Sequence, residues 1–487
     1  MSDHQSAAES LSDSDPNSEP VILHLAYSVW RKHLLIGIAR AKELEDQGHE
    51  VTVTYCDASR GTCAANFFGN PVICRICRMR AGRTAREAGL QVVPLSVPAD
   101  ATEDASGDDS NQPELSDHER AELQQGVASA ITSTFRSLPQ DVSKNKLISS
   151  VRSRYLETAT GLLHSMKSLL AKYPRARVEV FNARQACSRF AMLAAQDRGF
   201  PFNTLEITAT KRPIIFRGHT PHDRLQVQQR IRSHPVDNEL ADQFYAARRQ
   251  PRQNRYVKRQ QQEFQPPSSE GFKERVAVFL SSQDEFEALG PEWESPFDDY
   301  VAVLNRLCTE HSETLFCIRF HPNQGDMTSD VISPFNELAG RSNVQLYLPH
   351  DSISTYGLIE WSDKVITFGS TVTVEACWMD KAVILCGKSF FDDLGVAYVP
   401  ETVDQASEYL GQDLEPLDRS GAAQFASYFL NDGDSMKYIE EGKPFLAKGF
   451  RAHHPMLGRV ARITDNTLCN CVKRWMNLQT QSRRRAA

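Results

Sequence analysis

The sequence predicts an α/β protein built from two Rossmann-like, doubly wound domains that face each other across a cleft. Apolar runs of strand length alternate with amphipathic helical stretches in both halves of the chain. Small polar turns follow several of these runs, as expected where a strand leads into a helix. A proline- and serine-rich segment, residues 266–269, separates the halves. This alternation favours parallel sheets covered by helices.

The composition is that of an ordinary globular protein with an acidic surplus. The chain has 487 residues, too many for one core, with 40% hydrophobic and 24% charged residues. The formal net charge of -7 argues against nucleic acid as a partner, because no basic surplus exists to neutralise phosphates. No apolar run is long enough to span a bilayer, and the N-terminus lacks the apolar core of a secretory signal. We therefore expect a cytoplasmic protein.

The first half alternates strands and helices in the order of a doubly wound domain. Predicted strands span residues 21–26, 50–55, 90–97, 177–181 and 202–207, and predicted helices span residues 34–47, 115–173 with a break near 138–139, and 186–197. Residues 1–19 and 98–113 are polar and acidic and predict structureless segments. Residues 224–265 are polar and basic, which favours a solvated helix and linker over a nucleic-acid surface.

Four cysteines follow the second predicted strand: Cys56, Cys63, Cys74 and Cys77. Four thiolates in a short loop can close a zinc site or hold an iron–sulfur cluster. The spacing matches no standard zinc motif closely. A redox pair at Cys74 and Cys77, or reduced thiols in a packed loop, remain alternatives.

The second half repeats the strand and helix alternation. Predicted strands span residues 275–280, 315–320, 344–348, 364–368 and 382–385, and predicted helices span residues 300–311, 355–361, 372–379, 403–410, 420–431, 436–446 and 466–476. Polar side chains follow the strands, and the carboxyl ends of parallel strands meet at one edge of a sheet. The side chains expected at this edge are Ser281, Ser282, Arg319, His321, Ser370 and Thr371. Such convergence is typical of a nucleotide site.

The turn Gly369-Ser370-Thr371 is the centre of this predicted site. Backbone N–H groups and the hydroxyls of Ser370 and Thr371 would lie at a helix start, which suits a phosphate. Glu375 lies one turn into the helix, where it can bond a sugar hydroxyl. In the alternative interpretation, one hydroxyl is only a helix cap and Glu375 its capping-box partner.

Several of these motifs resemble the bacterial capsule polysaccharide biosynthesis proteins, a group that includes Kdo-transferring enzymes with the two-domain glycosyltransferase B fold. The resemblance lies in FLSSQDE (279–285), IRFHPN (318–323) and the stretch from Leu348 to Ala376, with weaker likeness at 180–191 and at Glu206. It implies that His321 and the turn Ser370-Thr371 grip the donor phosphates and that Glu375 contacts the ribose or sugar. It also implies transfer without a bound divalent metal.

The composition and the element order divide the chain into four segments, and the resemblance implies the role of each. A tail (1–19) precedes an N-terminal acceptor domain (20–265), a nucleotide-sugar domain (266–430) and C-terminal helices that pack back on the first domain (431–487). The donor would be a CMP- or UDP-linked sugar, and the acceptor a cell-surface polysaccharide or glycolipid. A first-domain base must deprotonate the acceptor hydroxyl. The candidates are Glu206, His33 and, with less support, Asp57.

Other functions fit parts of the pattern. UDP-N-acetylglucosamine 2-epimerases share this fold and similar turns, so the motifs identify a nucleotide-sugar site better than a reaction. A non-catalytic polysaccharide biosynthesis protein with a metal or redox cysteine loop is the other alternative. The terminal Arg483, Arg484 and Arg485 either touch anionic lipid at the inner membrane or form a frayed basic end.

Overall fold

The structure, a computed structural model, describes residues 19–57, 61–96, 114–136, 145–250, 265–326 and 333–439. Two mainly parallel sheets organise these residues, one in each half of the chain. No helix in these ranges is long and apolar enough to cross a membrane. The prediction of two Rossmann-like domains is confirmed.

The first sheet has six strands in the order β3-β2-β1-β4-β5-β6. Its strands are β1 (Val21–His24), β2 (Val51–Cys56), β3 (Gln91–Leu95), β4 (Arg177–Phe181), β5 (Phe202–Ile207) and β6 (Pro213–Arg217). All neighbours pair in parallel except β5 and β6, which form an antiparallel pair. The sequence analysis found β1 to β5 within a few residues and missed β6.

Five helices cover the first sheet: α1 (Arg31–Asp46), α2 (Pro71–Glu87), α3 (Asp117–Phe135), α4 (Lys146–Leu170) and α5 (Ala186–Asp197). Local chemistry sets their starts. Asn70 accepts the Val72 N–H, and Pro71 occupies the first turn of α2. Ser116 and Glu119 form a reciprocal capping box at α3. The break predicted near residues 138–139 lies between α3 and α4, in residues outside the described ranges.

The second sheet has five parallel strands in the order β11-β10-β7-β8-β9. They are β7 (Glu274–Phe279), β8 (Thr314–Arg319), β9 (Val344–Tyr347), β10 (Lys364–Thr367) and β11 (Ala382–Leu385). Alternate residues of β7 enter different cores: Val276 and Val278 pack on one face, and Ala277 and Phe279 on the other. This period of two places a hydrophobic core on each face of the sheet.

Helices pack on both faces of the second sheet. They are α6 (Arg224–Arg232), α7 (Asn238–Arg248), α8 (Gln283–Glu287), α9 (Tyr300–Glu310), α10 (Asn336–Ala339), α11 (Thr355–Trp361), α12 (Val372–Trp378), α13 (Val403–Gly411) and α14 (Ser420–Asn431). Short 3₁₀ turns occupy Pro291–Trp293, Pro322–Asp326 and Ser333–Phe335.

Helices α6 and α7 correct the predicted domain boundary at residue 265. Both precede it, yet their apolar faces join the core of the second sheet through Val227, Ile231 and Phe244. The Tyr245 hydroxyl also donates to the Ala422 carbonyl of α14 at 2.9 Å. The segment predicted as a solvated helix and linker does contain helices, but their apolar faces are buried up to residue 248, and the second domain begins near residue 224.

The chain returns to the first domain after α14. Met436 and Ile439 join the core of the first sheet, and Lys437 pairs with Asp46 at 2.5 Å. This agrees with the predicted return, although residues 436–439 form a turn and bridge where a helix was predicted. The rest of that predicted helix, the one at 466–476 and the terminal arginines lie outside the described residues.

Candidate active site

Glu285 lies where the two domains meet, in α8 just after β7. Its Oε1 accepts a hydrogen bond from Asn323 Nδ2 at 2.8 Å and lies 3.4 Å from Arg136 Nη1. Asn323 follows β8, whereas Arg136 ends α3 in the first domain. Arg136 also pairs with the fully buried Asp284 at 2.5 Å. The carboxyl edge of the second sheet is thus joined to the first domain by charged groups.

His321 lies beside this junction, directly after β8. Its Nδ1 accepts the Asn323 N–H at 3.2 Å, which assigns the ring proton to Nε2 in the neutral form. Burial lowers the pKa of His321, and nearby Arg319 and Arg136 lower it further, against the opposing effect of Glu285. At neutral pH this histidine is therefore an uncharged hydrogen-bond donor.

Three of the predicted donor-binding side chains lie beneath the edge of the sheet rather than on it. Ser281, Ser282 and Arg319 are at most 6% exposed. The Ser282 hydroxyl donates to Asp284, and the Arg319 guanidinium donates to the Thr355 hydroxyl at the start of α11. Burial lowers the pKa of Arg319 to about 10, so it remains charged. These groups support the site from below, which corrects the expectation that they line it.

The turn Gly369-Ser370-Thr371 lies against α8. Gly369 has φ +77°, and an added Cβ would lie 2.6 Å from the Phe286 ring and 2.9 Å from the Lys388 carbonyl oxygen. Only glycine fits this backbone and this space. The Ser370 hydroxyl accepts the Val372 N–H at 3.3 Å, which is the capping role considered above. Helix α12 has only 7 residues, so side chains must supply most of any charge stabilisation.

Glu375 is only 4% exposed, and its carboxylate pairs with Arg248 of α7. Arg248 Nε donates to Glu375 Oε1 at 2.7 Å, and Arg248 Nη2 donates to the Thr371 hydroxyl at 3.3 Å. One guanidinium therefore holds both a residue of the turn and the carboxylate one turn along. The structure assigns Glu375 this ion pair, and its contact with a sugar stays a prediction.

Glu206 lies at the carboxyl edge of the first sheet, in β5. It accepts hydrogen bonds from Asn182 Nδ2 and, at 2.9 Å, from the Ile207 N–H. Burial raises the pKa of Glu206 above its ordinary value, against the lowering effect of these hydrogen bonds and of Arg184. A carboxylate with a raised pKa is suited to general-base catalysis.

The partners of Glu206 were not predicted. His222 Nε2 lies 3.4 Å from Asn182 Nδ2, and burial, Arg184 and Arg189 lower the pKa of His222 to about 3. His222 is therefore neutral and can accept a hydrogen bond from Asn182. Its carbonyl oxygen accepts the Trp293 indole N–H of the second domain at 3.2 Å. The sequence signal that could have found these partners was Asn182, a polar residue directly after β4.

Backbone strain marks the same edge of the first sheet. Tyr27 after β1 has φ 57°, and the consecutive Asn182 and Ala183 after β4 have φ 61° and 57°. Non-glycine residues seldom adopt this left-handed conformation, and it concentrates at functional sites. The strained turns therefore agree with a site beside Glu206.

His33, the second base candidate, is packed in an aromatic cluster. Its ring stacks on Phe181 with 4.0 Å between centroids and meets Tyr27 and Trp30 edge-on. The third candidate, Asp57, pairs with Arg78 at 2.7 Å. Glu206 is the candidate whose pKa and hydrogen bonds suit a base.

The predicted cysteine cluster surrounds a small cavity of about 50 Å³. Its lining includes Cys56, Cys63, Cys74, Cys77 and also Cys187 of α5. Burial raises the pKa of Cys77 to about 11, and it also raises that of Cys74. Within the described ranges no three His, Cys, Asp or Glu residues are placed to hold a metal ion. The zinc or iron–sulfur site stays a prediction, which the zinc and iron content of purified protein tests.

The fold and site together define a two-domain α/β protein in which polar and charged contacts join two Rossmann-like domains. Residues 224–408 match the family described as capsule polysaccharide biosynthesis protein. The match begins at α6, where the structure places the start of the second domain, and includes His321 and the glycine turn. The predicted resemblance to this family is confirmed. No curated protein matches the sequence.

Solved structures of two transferases and one epimerase show distant similarity. KpsC of Thermosulfurimonas dismutans, a beta Kdo 2,4 transferase, is 15% identical over 52% of this chain and 78% of its own, with a TM-score of 0.32. UDP-GlcNAc 2-epimerase of Neisseria meningitidis, bound to UDP-GlcNAc, is 13% identical over 85% and 98%, with a TM-score of 0.30. A glycosyltransferase from Rickettsia africae is 13% identical over 84% and 93%, with a TM-score of 0.26. These values are too low to assign a reaction.

Proposed function

We propose that this protein is a glycosyltransferase that moves a sugar from a CMP- or UDP-linked donor to a cell-surface polysaccharide or glycolipid acceptor. One observation carries the proposal. The motif around His321 lies in the family match and follows a strand of the second sheet, whereas Glu206 lies at the end of a strand of the first. Two contacts join the domains beside these groups: Arg136 with Glu285, and the Trp293 indole N–H with the His222 carbonyl oxygen. Donor and acceptor sites on opposite lobes are what transfer requires.

In this mechanism Glu206 accepts the proton of the acceptor hydroxyl as its oxygen attacks the anomeric carbon of the donor. The bond from that carbon to the nucleotide phosphate breaks, and the phosphate oxygen takes the electron pair. His321 donates its Nε2–H to the leaving phosphate, and the backbone of the turn at residues 369–371 offers further donors. The hydrogen bond from Asn182 fixes the Glu206 carboxylate for this step.

The proposal includes transfer without a bound divalent metal. Hydrogen-bond donors of the protein would stabilise the leaving group: His321 Nε2–H and the backbone N–H groups of the glycine turn. Transfer should then persist in excess EDTA. Loss of activity in EDTA, with recovery on adding magnesium or manganese, would overturn this part and leave the assignment as a transferase intact.

The direct test is a panel of CMP- and UDP-sugars incubated with and without capsular oligosaccharides. A transferase forms a longer oligosaccharide and free nucleotide, and this product appears only when an acceptor is present. Conversion of a UDP-sugar to its epimer with no acceptor present would replace the proposal with the epimerase alternative. Neither product, together with no nucleotide binding, would overturn both enzymatic assignments.

A further inference from the structure

Two of the cysteines around the cavity of the first domain are in contact with each other. Cys187 is buried, and the other four cysteines of the lining, Cys56, Cys63, Cys74 and Cys77, are half-buried. Every cysteine in the described ranges is a free thiol. The side chain of Cys63 hydrogen-bonds to that of Cys187. These two residues lie far apart in the sequence, so only the fold shows that they form a pair.

Several hydrogen-bond donors converge on the sulfur of Cys187. The Tyr155 hydroxyl donates to it at 2.8 Å, and the same hydroxyl oxygen accepts the Cys187 N–H at 3.2 Å. The side chains of Tyr27 and Cys63 also hydrogen-bond to it. Cys187 is the second residue of α5, where the first-turn N–H groups place positive partial charge. Donors in this arrangement stabilise negative charge on sulfur, which makes a cysteine reactive.

Cys74 has a different hydrogen-bonding role. It accepts a hydrogen bond from Asn66 Nδ2 at 3.1 Å, but it also donates to the Gly61 carbonyl oxygen at 3.6 Å. A sulfur that donates carries its proton and is a poor nucleophile. The hydrogen bonds therefore favour Cys187 over Cys74 as the cysteine that an oxidant attacks.

The cavity gives a small oxidant access to Cys187. Its lining extends from Cys187 and the buried Thr158 to the half-buried Cys56 and Arg78, so it reaches the surface of the first domain. One water molecule needs about 10–15 Å³ of such space. A cavity of about 50 Å³ therefore has room for a molecule as small as hydrogen peroxide.

We propose that Cys187 is oxidised by hydroperoxides and that Cys63 then forms a reversible disulfide with it. In the first step the Cys187 sulfur attacks a peroxide oxygen, the O–O bond breaks, and the departing hydroxide takes a proton to leave as water. This step yields a sulfenic acid at Cys187. The Cys63 sulfur then attacks the Cys187 sulfur, the S–O bond breaks, and the hydroxide leaves as water with the Cys63 proton. The two thiols lose two electrons in total, and the peroxide gains them.

The test identifies the disulfides that form in the full chain. Reduced protein is treated with a small molar excess of hydrogen peroxide, the remaining thiols are alkylated, and the peptides are identified by mass spectrometry. We expect peptides joined through Cys63 and Cys187 that separate when dithiothreitol is added. Cys63→Ser should lose the joined peptides and stop at the sulfenic acid, so that dimedone labels Cys187. Cys77→Ser, which changes another thiol of the same cavity, should keep the joined peptides and is the control.

Four results would overturn the inference. One is a disulfide between Cys74 and Cys77 in place of the expected bond, and another is peroxide treatment that leaves every thiol free. The third is dimedone labelling of Cys63 in Cys187→Ser with none of Cys187 in Cys63→Ser. The fourth is zinc or iron that wild type retains and Cys63→Ser loses, because Cys63 would then be a metal ligand. Peptide identification in wild type needs no variant, and none of these results depends on the proposed transfer reaction.

Discussion

Arg136 Nη1 of the first domain lies 3.4 Å from Glu285 Oε1 of the second, and the same carboxylate oxygen accepts a hydrogen bond from Asn323 beside His321. A chain of charged and polar contacts therefore runs from the end of α3 to the motif that we assign to the donor. These contacts give the junction between the two domains defined partners on both sides.

Replacing Glu206 by Gln should slow transfer strongly and leave donor binding intact. The variant cannot accept the acceptor proton, so kcat should fall by about 10²–10⁴-fold. CMP or UDP affinity, measured by calorimetry, is the control because Glu206 lies on the first domain. A variant with kcat near that of wild type would show that another group is the base.

The pH profile of wild type gives a second readout on Glu206. The base must be deprotonated, and burial raises its pKa above the ordinary 4.5. The acid limb of kcat/KM should therefore lie at higher pH than for an ordinary carboxyl group, with activity lost as pH falls through it. A limb at or below pH 4.5 would contradict the assignment.

His321→Ala should weaken nucleotide binding by about tenfold, because a hydrogen bond to a charged phosphate is lost. His311→Ala is the matched control: His311 is a second-domain histidine with a lowered pKa at the opposite end of β8, where it contacts Ser407. Since burial keeps His321 neutral near pH 7, binding should change little between pH 7 and 8. Equal affinities in both variants would remove His321 from the donor site.

Gly369→Ala should cost more than about 2 kcal/mol of unfolding free energy, because the strain of a positive φ adds to a clash with Phe286 and the Lys388 carbonyl. Gly395→Ala has φ +69° and nothing within 4 Å, so it measures the backbone strain alone, about 1 kcal/mol. Urea titrations of the two variants give the difference. Similar losses of unfolding free energy in the two variants would show that the space between the turn and α8 admits the added methyl group.

Arg248→Ala should lower the free energy of unfolding by about 3 kcal/mol, because it leaves the buried Glu375 carboxylate without its cation. Adding Glu375→Gln should recover part of that loss, and a double-mutant cycle measures the coupling. Nucleotide-sugar binding by the same variants tests the sugar contact predicted for Glu375. If Glu375→Gln weakens nucleotide-sugar binding while the Arg248 variant does not, Glu375 touches the ligand as well.

The sequence predicts the order of the elements well, because period-two and helical patterns are local properties. The bounds of β4, α5, β5, α11, β11 and α14 agree residue for residue. The missed strand β6 (PIIFR) begins with proline and sits at a sheet edge beside β5, where antiparallel pairing depends on a neighbour that sequence patterns do not show. The apolar face of helix α7 was missed for a similar reason. Phe244 and Tyr245 have charged neighbours in the sequence, and only their packing against α14 shows that they belong to the core.

The candidate site was likewise predicted from the sequence only in part. The sequence identifies Glu206, His321 and the glycine turn, because each follows or ends a strand of a predicted parallel sheet. It does not identify Asn182 and His222 as the partners of Glu206, since that grouping is a property of three-dimensional packing. It also places Arg319 and Ser282 in the site, although the structure buries both beneath it, because a strand end fixes a position and not a side-chain direction.

The most direct test of the account is calorimetric titration of the full chain with CMP and with UDP, in wild type and in His321→Ala. The account predicts that wild type binds at least one of the two nucleotides with a stoichiometry near one. It also predicts that His321→Ala weakens that binding while His311→Ala does not. Absence of binding to either nucleotide, or binding that is indifferent to His321, would contradict the assignment of a donor site to the second domain.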